Sequence, residues 1–140
     1  MTLAALDNLV KIRRLNKEPP DQNQFDGMVK SAKTRLLDIE ATGLSEEGRF
    51  ALAYGAAHSL ALAALRWHRY RSDNRYMVFQ CLQHTVGLES AKWRVLDKCH
   101  NLRNQAEYEG ILDISQQLLE ELIVITKELV VLVEALGPVR

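Results

Sequence analysis

The stretch RFALAYGAAHSLALAAL, from Arg49 to Leu65, constrains this chain more than any other part of it. Phe50, Leu52, Ala53, Tyr54, Ala57, Leu60, Ala61, Ala64 and Leu65 recur at helical spacing, yet they cover much of the helix circumference instead of one stripe. A helix that is apolar nearly all round must be covered on several sides, which makes it the central member of a bundle. Its alanines allow neighbouring helices to approach closely. The uncharged part, Ala51 to Leu65, contains Tyr54, Gly55, His58 and Ser59 and falls short of the roughly 20 apolar residues a bilayer span needs. It is expected in a protein core, and no membrane association follows from it.

The flanking segments read as further helices. Leu3, Leu6, Val10 and Leu15 suit a first helix at about 2–15, behind a Thr2 cap and ending in Lys11, Arg13 and Arg14, whose charge complements the helix dipole. Pro19 and Pro20 interrupt it and make 16–20 a linker. Asp21 is placed to cap a second helix with an apolar face of Phe25, Met28, Val29, Ala32, Leu36 and Ile39, stopped near Gly43. Ser45 followed by Glu46 and Glu47 starts the central helix. After the break at 71–75, a fourth helix is expected through Tyr76, Val78, Phe79, Leu82 and Val86 up to Gly87, and a fifth from about Glu89 towards Tyr108. Asp113 or Ser115 can cap the last, whose stripe includes Leu118, Leu119, Leu122, Ile125, Leu129, Leu132 and Leu136 before the stop at Gly137 and Pro138. No run alternates with period two and no repeat is present. The expectation is an all-α, up-and-down bundle of five to six helices without strands.

At 140 residues the chain suits one domain over 1–140, able to bury roughly 68% of its unfolded surface. Eighteen basic and eighteen acidic residues cancel, so no global field draws it to polyanions or anionic lipid, and any nucleic-acid contact must be local. Cys81 and Cys99 form no Cys-x-x-Cys pair, which fits reduced thiols and a cytoplasmic setting. The start, MTLAALD, lacks the basic flank and cleavage site of a secretory signal.

Several chemistries lack their residues. There is no Gly-rich phosphate loop, no His-Glu-x-x-His, no acidic cation loop and no Gly-x-Ser-x-Gly elbow. The histidines at 58, 68, 84 and 100 do not fall at metal-ligand spacing, so no metal is expected, and His58 reads as a hydrogen-bonded core histidine. The segment RWHRYR interleaves Arg66, Arg69 and Arg71 with Trp67 and Tyr70, followed by Arg75 and Tyr76. Guanidiniums pair with phosphate and rings stack on unpaired bases, so these arginines are candidate substrate-binding groups for single-stranded RNA. Cations at a helix C-terminus are also stabilising in themselves.

The other polar concentration is HNLRNQAEYEG over 100–110. Two readings are open on spacing alone. Arg103 and Glu107 at i, i+4 make an exposed ion pair, Asn104 a helix end and Tyr108 an anchor for the last turn; alternatively, the same side chains hold a ligand.

Arg103-Asn104, three intervening residues and Tyr108 resemble the signature of the HEPN superfamily, the higher-eukaryote and prokaryote nucleotide-binding domains, whose Arg is followed four positions after a polar neighbour by His. The branch reading R-N-x-x-[DE]-Y-E-G is most similar. The likeness extends to Arg35-Leu-Leu-Asp38, to Arg49-Phe-Ala-Leu-Ala-Tyr54-Gly-Ala-Ala of the central helix, and to the turn at Tyr70-Arg71. It implies an HEPN-like bundle, usually a homodimer in which two Arg motifs meet. Such proteins bind RNA or a nucleotide without a cofactor, and many are metal-independent endoribonucleases of toxin-antitoxin or defence modules. A cognate antitoxin or a nucleotidyltransferase protein is then the implied partner.

By position, Arg103 would neutralise phosphate and Asn104 would orient it, with Glu107 beside them as a further substrate contact. Tyr108 stands where catalytic relatives carry His. A tyrosine ordinarily titrates near 10 and a histidine near 6.5, so a general base is weakened there. His100, three residues before Arg103, is the candidate substitute. The rival expectation is a non-catalytic helical interaction or antitoxin-like subunit that uses the Leu122 to Leu136 stripe as an intermolecular seam.

Overall fold

In a computed structural model the chain is described over residues 2–73 and 75–140. The expected Thr2 cap, Asn74, and the side chains of Leu3, Arg75 and Tyr76 lie outside the described residues.

Helix α1 spans Thr2–Lys11, α2 Gln22–Asp38 and α3 Glu46–Trp67. Two single turns follow, α4 at Arg75–Val78 and α5 at Leu82–Thr85, and then two long helices, α6 at Ser90–Glu109 and α7 at Gln116–Glu134. The architecture is an all-α bundle. Helices α2, α3 and α7 start where hydroxyl or carboxylate side chains satisfy exposed amides. Asp21 accepts from the Gln24 amide, Ser45 from Gly48 and Ser115 from Leu118, each such cap stabilising a helix by about 1 kcal/mol. Of the two candidate caps for α7, Ser115 serves.

Helix α3 occupies the centre and packs against α2, α6 and α7. Ala53, Ala56, Ala57, Ala61, Ala63 and Ala64 are all buried along it, as expected of a helix covered on several sides. Helix α7 turns Leu118, Leu119, Leu122, Ile125 and Leu129 into the same core, and Leu132 and Leu136 pack partly buried against it. The stripe read as a possible intermolecular seam is therefore occupied within the chain. No helix among the described residues is long and apolar enough to cross a membrane.

Two expectations change. Helix α1 stops at Lys11 and not near 15, because the backbone turns at Arg13, with φ 62°, to send Leu15 into a small second cluster with Leu6, Leu65, Tyr70 and Cys81. The turn delivers Asn16–Lys17 as a short strand, β1, antiparallel to β2 at Tyr70–Arg71. Strands thus exist where none was expected, in a two-residue ladder too short for any period-two signal. The expected fourth helix is also broken into α4 and α5. Val78, Phe79, Cys81 and Leu82 are all buried, an arc wider than the roughly 100° stripe one straight surface helix presents inward.

Tyr70 donates its phenolic hydrogen to Asp7, and Lys17 lies 3.5 Å from the same carboxylate, so one cluster ties α1 to both strands. The Tyr70 hydrogen bond, ahead of the Lys17 charge, holds the Asp7 carboxyl below its ordinary 3.8. Burial and the Asp7 bond push Tyr70 up to about 12. A lowered carboxylate stabilises the fold above its unfolded value and ceases to do so as pH falls, whereas a raised phenol stabilises below 10.0 and ceases to as pH rises through about 12. The difference in melting temperature between wild type and Tyr70→Phe should be flat from about pH 5 to about pH 9 and shrink towards about pH 3 and pH 11.

Cys81 and Cys99 are buried, and desolvation pushes both thiols up to about 12. Thiolate is the reactive form, so at pH 8 both should resist a thiol reagent in the native chain and react on addition of denaturant.

Candidate functional site

Phe50, Tyr54 and His58 recur at i, i+4 on α3 and form a ladder of rings. Phe50 and Tyr54 centroids lie 6.0 Å apart and Tyr54 and His58 6.2 Å apart, near parallel. Phe79, delivered by the break between α4 and α5, meets Tyr54 and His58 edge-on at 5.7 and 6.2 Å. From α6, His100 closes the group. Its Nδ1 lies 2.8 Å from the Tyr54 hydroxyl and its Nε2 lies 3.1 Å from Nδ2 of Asn104. With the Asn104 amide donating, Nε2 accepts and Nδ1 carries the hydrogen towards the phenol oxygen.

One turn further along α6, the Arg103 guanidinium lies over the Tyr54 ring, 5.2 Å from its centroid. Attraction to the ring's electron-rich face and an ion pair with Glu107 at 2.8 Å both hold it there. Arg103 and Glu107 open onto a cavity of about 850 Å³ between α2, α3 and α6. Its floor is Met28, Phe50, Tyr54, Leu62 and Leu112, and its rim carries Asn23, Gln24 and Glu47. The α2 wall contributes Ser31 and Arg35, and the α3 wall Gly55, His58 and Ser59. Arg35 donates to Ser31 one turn earlier, and Ser59 donates to the Met28 carbonyl at 2.8 Å, joining α3 to α2. An apolar floor with few convergent polar groups is the ordinary composition of a small-molecule pocket.

The chain matches no protein-family model, no curated protein and no solved structure.

The residues expected at a site part company. Arg103 and Glu107 line the cavity. Asn104 is turned to His100, and His100 is 3% exposed with both ring nitrogens engaged. As a proton-transfer group in contact with substrate, His100 is therefore ruled out by burial in this arrangement. Tyr108 is 90% exposed and absent from the lining. The helix is continuous to Glu109, and five residues at 3.6 per turn rotate Tyr108 about 140° from Arg103.

The arginines of 66–71 lie apart from this cavity's lining. Arg66 is 4% exposed and donates to the Pro19 carbonyl at 2.8 Å and to Gln24 at 3.1 Å, with Glu18 3.3 Å away. Arg69 donates to the Arg140 carbonyl, and Arg71 is flanked by Glu18 at 3.4 Å and Asp73 at 3.5 Å. None of the three lines the cavity. Arg66 and Arg71 tie to the segment before α2, and Arg69 ties to Arg140, with Arg69 and Arg71 exposed.

Arg35 entered the sequence analysis only through the resemblance and not as a site residue, and His58, read as a core histidine, is half-buried against Tyr54 and Phe79 and also borders the cavity. The available signal was a polar line, Tyr54, His58 and Ser59, in the otherwise apolar stretch 50–65, with Gly55 beside it. Among the described residues no three His, Cys, Asp or Glu side chains group to hold a metal ion.

Removing one partner from a buried charged network costs about 3 kcal/mol or more. Arg66→Ala should therefore lower the denaturation midpoint strongly, as a urea titration followed by circular dichroism would read.

Proposed function

We propose that the cavity between α2, α3 and α6 binds RNA or a nucleotide through a phosphate, with Arg103 as the principal cation. The observation that supports this most is the Arg103 guanidinium, stacked on Tyr54 and opening onto a cavity large enough for a nucleotide. A guanidinium fixed over a ring has lost much of its rotamer freedom already, so less entropy is lost when phosphate binds. The apolar floor suits a base, and the amides of Asn23 and Gln24 suit its polar edge.

The reading is of a binding site before it is of an enzyme. Metal-independent RNA cleavage needs a group that takes a proton from the 2′-hydroxyl. His100 is sealed in its hydrogen bonds and Tyr108 faces away, leaving His58 as the imidazole on the lining. Cleavage by this chain is accordingly proposed as slow and insensitive to chelators. The HEPN resemblance, with a toxin-antitoxin role and a homodimer, belongs to the same proposal and rests on the motif at 103–110.

Glu107 competes with phosphate for Arg103, and this sets the test. Titrated with a short single-stranded RNA and with a mononucleotide, Arg103→Ala should bind both about tenfold or more weakly than wild type, with a melting temperature within a few degrees because the pair is part-exposed. Glu107→Gln should bind more tightly than wild type. Affinity indifferent to both substitutions overturns the reading.

A further inference from the structure

We infer that Arg35 is a second anion-binding group of this cavity, so that the ligand carries two adjacent anionic groups, as a diphosphate does. The inference rests on the reading of the cavity as a phosphate site and extends it to a residue on the opposite helix.

Three observations carry it. Arg35 reaches the cavity from α2 while Arg103 reaches it from α6, and the two lie against consecutive residues of α3, Gly55 and Tyr54. Arg35 has the Ser31 hydroxyl as its hydrogen-bond acceptor, and among the described residues no carboxylate lies within ion-pair distance of it. Arg103, by contrast, has Glu107. A cation on a cavity wall held by a neutral hydroxyl keeps most of its donors for an incoming anion. Gly55, finally, lies in the interior of α3, where every other residue from Arg49 to Trp67 is alanine or larger. A β-carbon there would come within 3.2 Å of Nε and 3.3 Å of Cδ of Arg35, so the absent side chain lets the guanidinium stem lie flat on α3. Glycine inside a helix is unfavourable relative to alanine, and the close approach of Arg35 gives that cost a reason.

Glu47 on the rim and Glu107 beside Arg103 are the acidic residues of the lining. Both are exposed at residue level, and neither lies within ion-pair distance of Arg35.

The test is calorimetric titration of the full chain with inorganic pyrophosphate and with inorganic phosphate. Wild type should bind pyrophosphate about tenfold or more tightly than phosphate. Arg35→Gln should remove that preference, and Arg35→Lys should restore part of it. Gly55→Ala should melt at the same or a higher temperature and yet bind pyrophosphate more weakly, a combination that a purely structural role for Arg35 does not produce. If Arg103→Gln abolishes binding while Arg35→Gln and Gly55→Ala leave the pyrophosphate preference intact, the second subsite is wrong and the Arg103 reading survives. If wild type binds neither anion, both fall.

Discussion

The hydrogen-bonded line from Tyr54 through His100 to Asn104 governs the geometry of the site. It crosses from α3 to α6 and fixes their rotation about one another, because a buried imidazole satisfied at both nitrogens tolerates little displacement. Helix α6 then carries Arg103 three residues beyond His100, on nearly the same face, and sets its guanidinium over the ring whose hydroxyl bonds His100. One tyrosine thus serves as hydrogen-bond partner at its tip and as platform at its face. His100 and Asn104, polar residues that look like catalytic candidates by composition, here join α6 to α3.

Arginines show how environment, not residue type, assigns work in this protein. Arg66 and Arg103 are both flanked by glutamate, at 3.3 and 2.8 Å. Arg66 also spans a proline linker that cannot supply its own backbone donors, and it satisfies the Pro19 carbonyl at the cost of its exposure. Among the described residues Arg103 bonds no backbone carbonyl, and it keeps one face on a ring and one edge on the cavity. Desolvated on every side, the first can only be structural. The second, 28% exposed, is the one the proposed anion site draws on.

Helices were legible where periodicity and caps agreed. Asp21, Ser45 and Ser115 mark starts by a local mechanism that needs no tertiary information. The break between α4 and α5 was not legible, since whether Val78 to Leu82 bury as an arc or as a stripe depends on the cleft they fill. The β1–β2 ladder was hidden for the same reason: a pairing over fifty residues apart along the chain leaves no trace in two residues. Arg103 and Glu107 stood out because they share a segment. Arg35 did not, as its meaning comes from Gly55 on another helix and from the cavity they border.

Spacing on a continuous helix also decides which of the motif residues can act together. Positions four apart stay within about 40° of one another, and positions five apart diverge by about 140°. Arg103 and Glu107 therefore face one cavity, His100 and Asn104 share the inward face, and Tyr108 stands in solvent at the last turn before Gly110, whose φ of 75° ends the helix. A mechanism in which Arg103 and Tyr108 touch one phosphate requires either unwinding of that last turn or a ligand long enough to wrap around α6. Unwinding would sacrifice the backbone bond from Gly110 to Ala106 at 2.8 Å. A polynucleotide passing over the helix would leave it intact, whereas a mononucleotide has the reach for the Arg103 face alone. Ligand length is thus the variable that separates involvement of Tyr108 from its irrelevance.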